Sequence, residues 1–160
     1  LLRAGRRADI TDAQYYVLLP VIEVTPKKNG RKDWDGNGSG PDVFYRIRWQ
    51  GKTVFQSSKK KNTFLASWST ASVEVGALAR SLSLDESIKA ARITARPGDE
   101  LEVAVYDSDF LDNELIATWK LPVDRLRVGD QQWIRPAKHL VRVVSRVVAL
   151  NSVDLTVLTR

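Results

Sequence analysis

Short segments in which apolar and polar residues alternate recur along the chain and limit the folds that it can adopt. In LEVAVYD, residues 101–107, the side chains of Leu101, Val103 and Val105 share one face of an extended chain. VFYRIRWQ and KTVFQSS flank Gly51 as the two arms of a hairpin. Short strands separated by turns predict an all-β fold, an antiparallel β-sandwich.

Five other segments complete the predicted organisation. Tyr15 to Val24 is a strand in which Pro20 marks an edge, a bulge or a break, and ELIATWKLPV and VDLTVLT are further strands. HLVRVVSRVVAL is apolar but of ambiguous type. Leucines at helical spacing between Ala77 and Ala91 predict one short helix. Residues 1–13 are interpreted as a basic tail or linker, and residues 14–160 as one domain.

Residue usage excludes several kinds of site. The 160 residues include no cysteine and a single histidine, His139, which stands apart from the acidic segments. A thiolate nucleophile, a cysteine-based zinc site and a histidine-based catalytic triad are therefore not expected, and we do not expect an enzyme. The first residue is Leu1, which suggests a fragment or a processed chain.

The net charge of +6 is unevenly distributed along the chain. Residues 1–61 contain 13 Lys or Arg against 6 Asp or Glu, with basic runs in PKKNGRK and SSKKKN. Such runs favour an anionic partner, either a membrane surface or nucleic acid, and the alternative is that they are solvated loops. Nucleic acid is the less favoured partner because aromatic and basic residues are not interleaved along any one strand in the pattern that base stacking prefers.

Two acidic segments indicate a metal site. DWDGNGSGPD, residues 33–42, matches the first half of an EF-hand loop, but the position that requires a bidentate Glu is Phe44 and a strand follows. DSDFLDNE, residues 107–114, directly follows another strand. Loops at one end of a sandwich can meet, and facing carboxylates repel unless a cation joins them. Oxygen ligands without nitrogen or sulfur favour Ca²⁺.

Three segments, taken in order, resemble the C2 domain family: GSGPDVFYRIRW, KKKNTFLASWS and VYDSDFLDNELIATWKLPV. The resemblance implies an eight-stranded C2-like sandwich with a helical insertion, and a Ca²⁺ site between two loops. It assigns Asp35 and Asp42 to the first loop as ligands. The ligands that it assigns to the second acidic loop are Asp107, Asp109 and Glu114, and the spare carboxylates are Asp33 and Asp112. Glu114 stands where the family usually has Asp, and Ala117 where it usually has Gly.

Large apolar residues in the acidic loops and a cluster of lysines suggest a membrane-targeting module, peripherally associated with anionic phospholipid in a compartment that the sequence leaves open. The lipid-binding candidates are Trp34, Phe110, Leu111, Lys52, Lys59, Lys60 and Lys61. Two alternatives stay open: Phe110 and Leu111 fold back onto the sandwich, or the lysines are a solvated hairpin end. The competing function is a calcium-independent interaction or structural module of a larger assembly.

Overall fold

The computed structural model describes residues 13–28, 30, 32–35, 38–68 and 91–149. These residues form nine strands and one 3-10 turn, Val123–Arg125. The strands are β1 Ala13–Val24, β2 Val43–Trp49, β3 Lys52–Gln56, β4 Leu65–Ser67, β5 Ala91–Ala95, β6 Glu100–Ser108, β7 Asn113–Pro122, β8 Gly129–Ile134 and β9 Leu140–Ala149.

The strands form two antiparallel sheets that face each other as a sandwich, which confirms the predicted fold class. The first sheet runs β4-β1-β9-β8, with β5 also paired to β1, and the second runs β3-β2-β6-β7. Alternate residues of both sheets fill the space between them, including the fully buried Ile22, Ile47, Val43 and Val143. A stripe of apolar side chains at every second residue is what a strand with one face on a core requires.

Three short strands, β4, β5 and β8, were not predicted, and two predicted elements lie outside the described residues. The β8 sequence GDQQWI places only Trp133 in the core. Ala91 begins β5, whereas the sequence placed it at the end of a helix. The rest of that helix and the final strand VDLTVLT fall outside the described ranges. Pro20 lies at the predicted irregularity, because the β1–β9 register shifts between Leu18 and Val21.

Strand register brings three loops to one end of the sandwich, which we call the loop end. Loop 1 is residues 25–42, loop 2 is residues 57–64 and loop 3 is residues 109–112. Val43 pairs with Asp107 across β2 and β6, and Val43 also forms an isolated bridge with Lys60. The acidic segments, about 70 residues apart in sequence, therefore emerge side by side. Within the described residues, no helix is long and apolar enough to cross a membrane.

Candidate calcium site

Three carboxylates converge at the loop end. Asp35 from loop 1, Asp107 at the end of β6 and Asp109 at the start of loop 3 each offer one oxygen, and these oxygens lie within 4.8 Å of one another. Asp107 is buried, Asp35 is half-buried and Asp109 is exposed. The cluster therefore runs from the sandwich interior to solvent.

Asp107 is the residue that best tests whether a cation fits. Its Oδ1 accepts a hydrogen bond from the Asp42 backbone N–H at 2.8 Å. Its Oδ2 is buried and accepts no hydrogen bond within the described part of the chain. Burial, with smaller contributions from Asp109, Asp35 and Asp42, raises the pKa of Asp107 to about 6. A buried carboxylate that has one oxygen without a donor, and that is grouped with two other carboxylates, fits a hard cation such as Ca²⁺.

The pKa of Asp109 is also raised, although this carboxyl is more exposed than that of Asp107. Partial burial raises its pKa, and the charges of Asp35 and Glu114 raise it further, while the ammonium of Lys28 lowers it. The neighbours that act on Asp109 thus include carboxylates from both loop 1 and β7. Their joint effect is the repulsion that a bound cation would remove.

The other two predicted ligands lie beside the cluster and already have partners. Asp42 accepts a hydrogen bond from the Asn62 backbone N–H at 2.8 Å, which joins loop 1 to loop 2. Glu114 forms an ion pair with Lys28, a contact that the sequence did not predict. Asp42 and Glu114 are therefore additional candidate ligands beside the three converging carboxylates.

The two spare carboxylates are used within their own loops. Asp33 forms an ion pair with Lys27. Asp112 Oδ1 accepts a hydrogen bond from the Asn113 backbone N–H at 2.8 Å, and its carbonyl accepts one from the Asp109 N–H at 2.9 Å. Loop 3 is thus a tight four-residue turn, which holds the Asp109 backbone in place.

Loops 1 and 2 are packed tightly against each other at Gly40. The Gly40 N–H donates to Asn62 Oδ1 at 2.7 Å, and the Thr63 N–H donates to the Pro41 carbonyl at 3.0 Å. A Cβ on Gly40 would approach the Thr63 backbone N to 3.0 Å, so a side chain there would push the loops apart. The position of Asp42 therefore depends on glycine at residue 40.

Trp34 is buried, which corrects the expectation that it contacts a membrane. Its side chain is 6% exposed and belongs to the core. The indole Nε1–H donates to the Thr25 carbonyl at 2.8 Å, and the ring meets the His139 imidazole edge to face at 5.4 Å. A Trp with both its apolar surface and its N–H satisfied by the protein anchors the loop instead.

Phe110 and Leu111 are fully exposed at the tip of loop 3, with relative exposures of 101% and 91%. The alternative in which they fold back onto the sandwich is therefore wrong. Leu115, at the start of β7, is also exposed, and sequence reasoning did not single it out. Phe64 and Leu65 add further apolar surface where loop 2 meets β4.

The four lysines do not form one patch, which corrects a second expectation. Lys60 bridges to Val43 at the loop end, so Lys59 and Lys61 lie there as well. Lys52 pairs with Trp49 at the opposite end of β2. Val43 and Trp49 are six residues apart along β2, so Lys60 and Lys52 are separated by about 20 Å.

Comparison with solved structures finds the same architecture at low sequence identity. A structure described as that of a C2 domain matches 84% of this chain and 96% of its own length, with 12% identity and a TM-score of 0.53. The fold is C2-like. A structure containing two C2 domains of extended-synaptotagmin 2 matches over 92% of this chain and 44% of that chain, with 14% identity and a TM-score of 0.56.

Two further neighbours of the C2-like domain were solved with metal ions. One is the same pair of extended-synaptotagmin 2 domains with calcium bound, over 88% of this chain and 47% of that chain, at 14% identity and a TM-score of 0.54. The other is human GIVD cytosolic phospholipase A2 with an inhibitor and terbium chloride, at 13% identity and a TM-score of 0.55. The match covers 86% of this chain and only 17% of the phospholipase. No family model and no curated protein sequence matches the chain.

Proposed function

We propose that this C2-like domain docks on anionic phospholipid surfaces, with Ca²⁺ held between loop 1 and loop 3. The observation that carries the proposal is the buried Asp107 Oδ2, which has no donor among the described residues and belongs to a carboxylate that converges with those of Asp35 and Asp109. Ca²⁺ in proteins is usually coordinated by six to eight oxygen atoms in flexible geometry, and the cluster offers only oxygen ligands.

Asp35, Asp107 and Asp109 would hold the ion, and Asp42 and Glu114 are the nearest additional carboxylates. When bound, Ca²⁺ would cancel the negative potential of the loops and offer open coordination positions to lipid phosphate oxygens. The protein's own contribution is positional. Loop 2 fixes Asp42 through Asn62, and β6 fixes Asp107, so one ligand of the cluster is preorganised before any ion arrives.

The surface around the cluster supports docking on a membrane. Phe110 and Leu111 project into solvent beside Asp109 and would be covered by the headgroup and upper acyl region of a bilayer. Lys59 to Lys61 lie at the same end, where cations would be attracted to anionic headgroups. The proposal requires no bond-breaking step, and it makes the chain a peripheral membrane component.

A calcium-independent interaction module is the second candidate. It is favoured by one observation: Lys27 and Lys28 already neutralise Asp33 and Glu114 without any metal ion. In that case the exposed Phe110 and Leu111 would pack against another protein chain. The close approach of Asp35 to Asp107 supports the calcium-dependent proposal instead.

Co-sedimentation with phosphatidylserine vesicles, in calcium and in chelator, tests the primary proposal. We expect wild-type protein to sediment with the vesicles only in calcium. Asp107→Asn should not sediment in either condition, because an amide cannot supply the buried negative charge. The matched control is Asp112→Asn, which removes a carboxylate whose described contacts lie within loop 3 and its junction with β7. Equal sedimentation of wild type in calcium and chelator would reject the calcium mechanism.

A further inference from the structure

Two adjacent lysines at the start of loop 1 contact different carboxylates. Lys27 pairs with Asp33, which lies outside the converging group, and Lys28 pairs with Glu114, which lies beside it. Their surroundings also differ, since the Lys28 side chain is 20% exposed and that of Lys27 is 48% exposed. Lys28 is therefore the more enclosed of the two.

The charge of Lys28 reaches the cluster and the loop that follows β8. Its ammonium lowers the pKa of Asp109 against the stronger effects of burial and neighbouring carboxylates. The same charge contributes to lowering the pKa of His139, after burial and Lys138. The positive charge of Lys28 therefore acts on both Asp109 and His139, which lie on separate elements at the loop end.

The backbone on either side of Lys28 is held by hydrogen bonds to the rest of the domain. The Thr25 N–H donates to the His139 carbonyl at 2.9 Å, and the Thr25 carbonyl accepts from Trp34 at 2.8 Å. The Lys28 N–H donates to the Lys32 carbonyl at 2.8 Å. These bonds hold the backbone at the base of loop 1, from which the Lys28 side chain reaches Glu114.

We infer that Lys28 is a built-in counter-ion of the acidic cluster, and that its ammonium must leave Glu114 before this carboxylate can serve as a calcium ligand. The inference rests on the proposed function. A cation tethered to the site opposes a second cation by direct repulsion and by occupying ligand oxygens. Lys28 thereby sets the calcium concentration at which the loop end becomes competent to dock.

Isothermal titration with Ca²⁺ tests the inference with three variants. Lys28→Met keeps the apolar stem without the charge, and we expect it to bind calcium about tenfold more tightly than wild type, equivalent to ~1.4 kcal/mol. Lys28→Arg keeps the charge and should keep the wild-type affinity to within about twofold. Lys27→Met removes the same charge one residue away and should tighten binding by about twofold at most, because solvent and salt screen the more exposed pair.

Stability without the ion gives an independent measurement. With chelator present, Lys28→Met should melt at a lower temperature than Lys27→Met, because the clustered carboxylates lose the ammonium that acts on Asp109 and pairs with Glu114. Saturating calcium should remove that difference. Lys28→Met that binds calcium where wild type does not would also support the inference.

Two results would overturn it. If wild type and Lys28→Met bind calcium equally and melt alike, Lys28 has no role at the site, while the proposed function stands. If no variant binds calcium at any concentration tested, the proposed calcium function fails and the competition fails with it.

Discussion

Loop 1 and loop 3 share one sequence pattern, large apolar residues between carboxylates, yet place those residues in opposite environments. Trp34 is 6% exposed and contributes to the core, whereas Phe110 is 101% exposed. Loop 1 is long enough to return to the sandwich, where the indole finds both the Thr25 carbonyl and His139. Loop 3 is closed by the bond from Asp109 N–H to the Asp112 carbonyl, so its tip cannot reach back.

An apolar residue in an acidic loop therefore does not by itself indicate membrane insertion. The length of the loop and the presence of a partner for the polar atom decide the outcome. Trp brings an N–H that must be satisfied when it is buried, and loop 1 supplies the acceptor. Phe and Leu bring no polar atom, so loop 3 can hold them at a solvated tip only at the cost of exposed apolar surface.

The largest effect is expected from removing the buried aromatic residue. Trp34→Ala should lower the free energy of unfolding by about 3 to 5 kcal/mol, because it opens a cavity and leaves the Thr25 carbonyl without its donor. Urea unfolding measures the change. Trp34→Phe is the control, since it keeps most of the apolar contact and should lose about 1 kcal/mol. Wild-type stability with weakened vesicle binding would instead place Trp34 in the membrane.

The opposite result is expected at the tip of loop 3. Replacing both Phe110 and Leu111 with Ala should change the free energy of unfolding by less than about 0.5 kcal/mol, as for exposed positions generally. Vesicle binding in calcium should weaken by about 2 kcal/mol because two apolar side chains no longer enter the bilayer. Loss of fold stability without loss of vesicle binding would remove the contrast between the two loops.

The smallest expected effect is the pH dependence of stability that Asp107 causes. The pKa of Asp107, about 6 in the folded protein, lies above its ordinary value of 3.8, so the native state binds this proton more tightly than the unfolded chain does. The stability contributed by protonation is therefore complete below pH 4 and is lost as the pH rises through 6. From pH 5 to pH 7 the calcium-free protein should lose about 1 kcal/mol.

Urea unfolding at the two pH values, for wild type and Asp107→Asn, isolates this contribution. The variant should lack the loss because its amide does not titrate, and every other ionisable group is shared. Saturating calcium should also reduce the loss in wild type, since an ion stabilises the charged carboxylate. Identical pH profiles for the two proteins would show that Asp107 is not the group responsible.

Sequence reasoning was most successful where one face of a strand is buried. β2, β6 and β7 were predicted close to their observed bounds because alternation is a local property of the chain, whereas β3, in which no residue is buried, was predicted from the hairpin around Gly51. β4 and β8 were missed because each places a single residue in the core, Ala66 and Trp133 respectively. The split of the lysines was also missed, because whether Lys52 lies near Lys60 depends on strand direction and length rather than on sequence separation.

At the candidate site, the available chemistry can be read from the residues alone, whereas the geometry depends on how the strands pair. The two acidic segments, the absence of cysteine and the lone His139 follow from the order of residues alone. The pairing of Val43 with Asp107 decided that the loops meet, and it also decided which three carboxylates converge. Burial of Trp34 and the ion pair of Lys28 with Glu114 could only emerge once the chain had folded. Both arise from contacts between distant elements, which no local pattern encodes.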